Sequence, residues 1–98
     1  MKIYISSKIT ENENYLKDFE AAETFLDALG HEVINPCKLP HDHGKSYAEY
    51  MKEDIKVLLD CDGIYMFGDW FKSEGAVMER AVARICGLQC MYERRENQ

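Results

Sequence analysis

The sequence predicts a small doubly wound α/β domain, three layers deep, with a parallel sheet of about four strands between helices. Three observations lead there. Apolar periods of about two and about 3.6 residues alternate along the chain, the pattern of βαβ units. Gly30, Pro36 and Gly87 stand at the joints between those segments, where helices and strands must stop. Ninety-eight residues, 46% of them hydrophobic and 31% charged, suffice for one core and not for two. Strands separated by helices run parallel and bury both faces of their sheet.

The elements follow in order. Lys2–Ser6 (KIYIS) reads as the first strand. Residues 13–29 place Tyr15, Phe19, Ala22, Leu26 and Leu29 at helical spacing, and Gly30 ends the helix. Residues 32–35 (EVIN) form a second strand, and 36–45 a polar loop holding both prolines with His41 and His43. Residues 46–60 read as an amphipathic helix with Tyr47, Tyr50, Met51, Ile55, Leu58 and Leu59 on one side. Residues 63–67 (GIYMF) make a third strand, 68–72 a loop, and 73–86 a helix closed by Gly87. In that last helix Met78, Val82, Ile85 and Cys86 form the expected buried stripe, opposite Arg80 and Arg84. Residues 88–92 supply the last strand. One domain over 1–93 and a polar tail over 94–98 complete the reading.

Composition narrows the function classes. A net charge of −6 argues against a nucleic-acid polymer, which wants a basic surface, and leaves room for a small nucleoside in a local pocket. No apolar run approaches the length of a membrane span, and the chain opens directly on a strand-like stretch without a signal-peptide pattern. Cys37, Cys61, Cys86 and Cys90 show neither CxxC nor disulfide-framework spacing and read as reduced thiols, so a cytoplasmic location is expected. Cys37, His41 and His43 have no standard zinc spacing, and no metal is expected.

Two acids sit where apolar residues belong. Asp54 falls inside the apolar arc of its helix, between Tyr50 and Leu58; Glu79 lies at the edge of the expected buried stripe, among Ala76, Ala83 and Cys86. A desolvated carboxylate needs a partner, a proton or a chemical task. Either acid can be a structural acceptor, and the helical wheel does not choose. Topology adds a place for them. Ligands of open parallel sheets bind beyond the carboxyl ends of the strands, where strand order reverses. The loops there are 6–11, 36–45 and 68–75; Glu79 lies about one turn beyond the last, and Tyr4 approaches from the first strand.

These residues carry a family likeness. Ile3-Tyr4-Ile5-Ser6, the pair Asp54 and Asp62 eight residues apart, and Ser73-x-Gly75-x-x-x-Glu79 resemble, in order and spacing, the nucleoside 2-deoxyribosyltransferase superfamily, which includes the 2′-deoxynucleoside 5′-phosphate N-hydrolases. The likeness runs from Met1 to about Glu93 and is nearest to a small branch common in phages and prophages. That branch usually opens Tyr-Ile-Ser-Gly-Pro-Ile-Thr-Gly; here Ser7, Lys8 and Glu11 replace the first glycine, the proline and the last glycine. Lost glycines remove close backbone approach, Glu11 opposes a phosphate, and Lys8 offers a compensating charge. The choice between nucleoside and 5′-monophosphate stays open.

The resemblance implies a flavodoxin-like fold and N-glycosidic chemistry. Cleaving that bond builds positive charge on the anomeric carbon, which a carboxylate stabilises or attacks. By resemblance Glu79 is the nucleophile and Tyr4 holds it, while Asp54 protonates the departing base or orients the sugar. Ser6, Ser7, Lys8, Ser73 and Gly75 surround the substrate; Trp70 either stacks on the base or covers the core. No cofactor is needed. Water completes a hydrolysis and a second base a transfer. A non-catalytic nucleotide-binding module and a ligand-free interaction domain remain as alternatives. The resemblance also implies pockets completed across subunits, hence a homodimer or larger oligomer.

Overall fold

The computed structural model describes residues 1–40 and 44–94. Its elements are β1 (Lys2–Ser6), α1 (Tyr15–Ala28), β2 (Glu32–Ile34), α2 (Tyr47–Leu59), β3 (Gly63–Met66), α3 (Glu74–Ile85) and β4 (Gln89–Tyr92), with short 3-10 turns at Pro36–Lys38 and Trp70–Lys72. The strands lie in the order β2-β1-β3-β4, every pair parallel. Tyr4 pairs with Ile34 on one side and with Ile64 on the other. The chain therefore winds outward from β1 to one edge, then returns through β3 to the other. Strand order reverses between β1 and β3, and the crevice of a doubly wound sheet opens at their carboxyl ends.

Alternation along the strands buries both faces of the one sheet. Ile3, Ile5, Tyr65 and Phe67 face Phe19, Ala22 and Leu26 of α1. Tyr4, Ile64 and Met66 face Leu58 of α2 and Ala76 and Ala83 of α3. That is the three-layer arrangement expected from the sequence. Among the described residues no helix is long and apolar enough to cross a membrane.

Caps set the helix boundaries. Ser46 Oγ accepts from the Glu49 N–H at 3.2 Å while the Ser46 N–H donates back to Glu49 Oε1, a capping box that fixes the start of α2. Ser73 Oγ accepts from the Ala76 N–H at the start of α3. Two boundaries differ from the sequence expectation. Helix α1 begins at Tyr15 because Asn12 turns the chain first, its Oδ1 accepting from the Asn14 N–H and its carbonyl from the Tyr15 N–H. Strand β2 stops at Ile34 because the Asn35 side chain accepts from the Cys37 N–H and opens a 3-10 turn.

The buried face of α3 is a correction. Met78, Ile85 and Cys86, expected inside, are exposed, Ile85 by 73%. Gly75, Ala76, Glu79 and Ala83 are buried instead. Small side chains let α3 lie close to the sheet, and a hydropathy wheel gives them too little weight against methionine and isoleucine. Glu79 thus sits in the middle of the buried face and not at its edge.

A buried glutamate in a crevice between two helices

Tyr4 and Ser6 lie two positions apart on β1, so both side chains point to the α3 side of the sheet. The Tyr4 hydroxyl donates to Glu79 Oε2 at 2.5 Å, and the Ser6 hydroxyl donates to Oε1 at 2.7 Å. Glu79, only 7% exposed, is therefore held through both carboxylate oxygens. Burial pushes its carboxyl up to about 7; the two hydroxyl donors pull it down, and the charge of Asp54 adds to the rise. Burial, with the charges of Glu79 and Asp54, keeps the Tyr4 phenol far above its ordinary range, so Tyr4 stays a donor at neutral pH. A carboxylate accepting two hydrogen bonds keeps further lone pairs for an electrophile.

A cavity of about 470 Å³ opens over this carboxylate at the β1–β3 switch point. Asp54 reaches it from α2, and Cys37 from the 3-10 turn after β2. Burial pushes the Cys37 thiol up to about 11, with the charge of Asp54 adding to the rise, so the thiol is protonated at neutral pH. Tyr15, Phe19, Tyr47 and Tyr50 supply aromatic wall. None of those four rings is among the site residues expected from the sequence; Tyr15 opens α1, Phe19 lies one turn on, and Tyr47 and Tyr50 lie in the first turn of α2.

Most of the expected site residues converge here. Tyr4, Ser6, Ser7, Asp54, Ser73, Gly75 and Glu79 all line the cavity. Their local roles are more specific than substrate contact. Ser6 binds Glu79, and the Ser7 hydroxyl donates to the Phe67 carbonyl at 2.6 Å, tying the ends of β1 and β3 together. Gly75 gives α2 room: a Cβ there would stand 2.5 Å from the Tyr47 hydroxyl. Asp62 lies at the opposite end of the sheet, accepting from the Lys2 N–H at 2.8 Å, and serves the strand pairing.

Lys8 and Trp70 do not line the cavity. Trp70 packs beside Phe71 and Tyr92 with the Arg80 guanidinium 5.7 Å from its ring centre, outside the crevice. Glu11 adopts φ +62°, a left-handed conformation that glycine takes without strain and other residues rarely adopt. His41 and His43 lie outside the described residues. Among the described residues no three histidine, cysteine, aspartate or glutamate side chains are grouped to hold a metal ion.

Comparison with known proteins places this geometry in a family. Residues 1–92 match the family described as a domain of unknown function (DUF4406). A 2-deoxyribosyltransferase from the psychrotolerant bacterium Bacillus psychrosaccharolyticus is 30% identical, with a TM-score of 0.75 over 94% of this chain and 71% of its own. A CMP N-glycosidase from Clostridium botulinum superposes with a TM-score of 0.67 at 22% identity, over 94% of this chain and 67% of that one. A 2-deoxyribosyltransferase from Leishmania mexicana gives 0.70 at 16% identity, over 93% and 62%. The last two likenesses concern the fold. No curated protein matches. The chain belongs to the DUF4406 family, within the nucleoside 2-deoxyribosyltransferase superfamily.

Proposed function

We propose that this protein cleaves or transfers the N-glycosidic bond of a nucleoside or nucleotide, with Glu79 as the nucleophile. The observation that carries the reading is the doubly held, buried carboxylate of Glu79 on the floor of the crevice. The 30% identical relative is a 2-deoxyribosyltransferase, and a more distant structural neighbour is a CMP N-glycosidase. Both names describe chemistry at the bond between a sugar and a base.

The step balances as a double displacement. As the bond from C1′ to the base nitrogen breaks, its electron pair leaves with the base, and Asp54 delivers a proton to that base. A Glu79 oxygen forms an ester to C1′. Tyr4 and Ser6 hold the carboxylate so that little reorganisation accompanies the attack. Water or a second base then attacks C1′ and gives its proton to the Asp54 carboxylate, while the ester bond to C1′ breaks and Glu79 returns to its carboxylate form. The aromatic side chains of the cavity present flat apolar surface to a base.

The assembly reading extends this proposal. Leu59 of α2 and Met78 and Ile85 of α3 are exposed, Met51 and Ile55 are half-buried in a groove between α2 and α3, and Tyr47, Met51 and Gly75 line both that groove and the cavity. A second copy of the chain covering that groove gives a homodimer whose partner reaches the edge of the site.

The experiment is incubation with nucleosides and their 5′-monophosphates, with free base detected by chromatography. Release of base supports the reading. Recovery of every compound intact, from a protein that binds one of them, replaces it with the binding module.

A further inference from the structure

We infer that the site takes an uncharged nucleoside in preference to its 5′-monophosphate. The inference rests on the reading of the cavity as a nucleoside site and concerns which class of ligand enters it. Two carboxylates, Asp54 and Glu79, line the cavity, and no lysine or arginine does so among the described residues. Phosphate sites need charge of the opposite sign or free backbone donors. The lysines of the crevice loops are already engaged. Lys38 sits 3.0 Å from Glu23, Lys45 contacts both oxygens of Glu53 at 2.9 and 2.7 Å, and Lys72 lies 3.7 Å from Asp69.

The helix starts add no positive side chain in exchange. At α3 the Ala76 N–H is taken by Ser73 Oγ and the Val77 N–H by the Ser73 carbonyl, which leaves the Glu74 and Gly75 N–H groups, and the Glu74 carboxylate sets its negative charge against an anion there. At α1 the first turn holds Asp18, preceded by Glu11 and Glu13. Lys8, the cation of the β1–α1 loop, does not line the cavity. A sugar hydroxyl, by contrast, is a donor and can give a hydrogen bond to the Asp54 or Glu79 carboxylate, whereas a phosphate brings further negative charge towards those two acids.

The test compares the four common ribonucleosides and four 2′-deoxynucleosides with the 5′-monophosphates of all eight, reading base release as kcat/KM. For the best base and sugar the nucleoside is expected to exceed its monophosphate at least tenfold. A monophosphate turned over as well as its nucleoside, or better, overturns the inference and leaves the glycosidase reading standing. If no compound releases base, the glycosidase reading falls, and the melting temperature with each of the same compounds decides this inference alone. A larger shift with a nucleoside than with its monophosphate upholds it. An equal or larger shift with the monophosphate, or no shift with any nucleoside, overturns it.

Discussion

The Tyr4 hydroxyl donates to Glu79 Oε2 at 2.5 Å, joining the middle of β1 to the buried face of α3. The bond favours the ionised carboxylate against the burial that opposes it. Tyr4→Phe removes that support and moves the Glu79 carboxyl further above about 7. Because the proposed nucleophile acts in its ionised form, the rising limb of the pH–rate profile is expected to move to higher pH. Activity lost at pH 7 is then partly regained at pH 9. An unmoved limb, measured as kcat/KM against pH, shows that Tyr4 does not tune this group.

The same carboxyl links stability to pH. Its folded-state value of about 7 lies above the unfolded value of 4.5, so the folded chain holds the proton more tightly. The stabilisation is full below pH 4.5 and is lost as pH rises through 7. Glu79→Gln removes the titration. Urea melts at pH 5 and pH 8 are expected to show the wild type losing stability relative to the Gln variant by up to about 3 kcal/mol. A constant difference between the two proteins removes the raised carboxyl from the account.

Gly75 keeps space for the Tyr47 ring. In Gly75→Ala the new Cβ meets the Tyr47 hydroxyl, the far end of a side chain that is 61% exposed. The ring can swing away, so stability is expected to change by less than about 1 kcal/mol. The cavity wall moves with it, and kcat/KM is expected to drop several-fold. Tyr47→Phe in the same chain removes the clashing oxygen and is expected to recover part of that loss. A double variant no better than Gly75→Ala alone argues against this contact.

Much of the architecture was legible in the sequence, because alternating periods of two and 3.6 residues leave few options for a chain this short. The Tyr4–Glu79 pairing was implied by the resemblance and is seen in the structure. Ser6 lines the cavity, as expected, and its hydroxyl also donates to Glu79, a bond that its position two residues from Tyr4 on one strand makes possible. The face of α3 differs from the hydropathy pattern because burial there follows the small size of Gly75, Ala76 and Ala83. The aromatic side of the cavity draws rings from α1 and α2, helices on opposite faces of the sheet, which no local pattern encodes.

The outer face of α3 bears on assembly. Met78 and Ile85, apolar and on one side of α3, are 42% and 73% exposed in the single chain. Met78→Lys is expected to shift sedimentation from a dimer towards the 11.4 kDa monomer without loss of folding. A wild-type protein that sediments only at 11.4 kDa at micromolar concentration contradicts the dimer.

Glu79→Gln tests the central claim most directly. The amide keeps the volume and a hydrogen-bonding partner for Tyr4 and Ser6, but it lacks the charge that a developing sugar cation or an ester intermediate requires. The measurement is the rate of base release, with the best nucleoside of the panel, by wild type and variant proteins shown to be folded by circular dichroism. The account predicts a fall of roughly a thousandfold or more, with binding of the nucleoside retained. Release by the folded Gln variant at close to the wild-type rate means that Glu79 is not the nucleophile, and the proposed mechanism is then wrong.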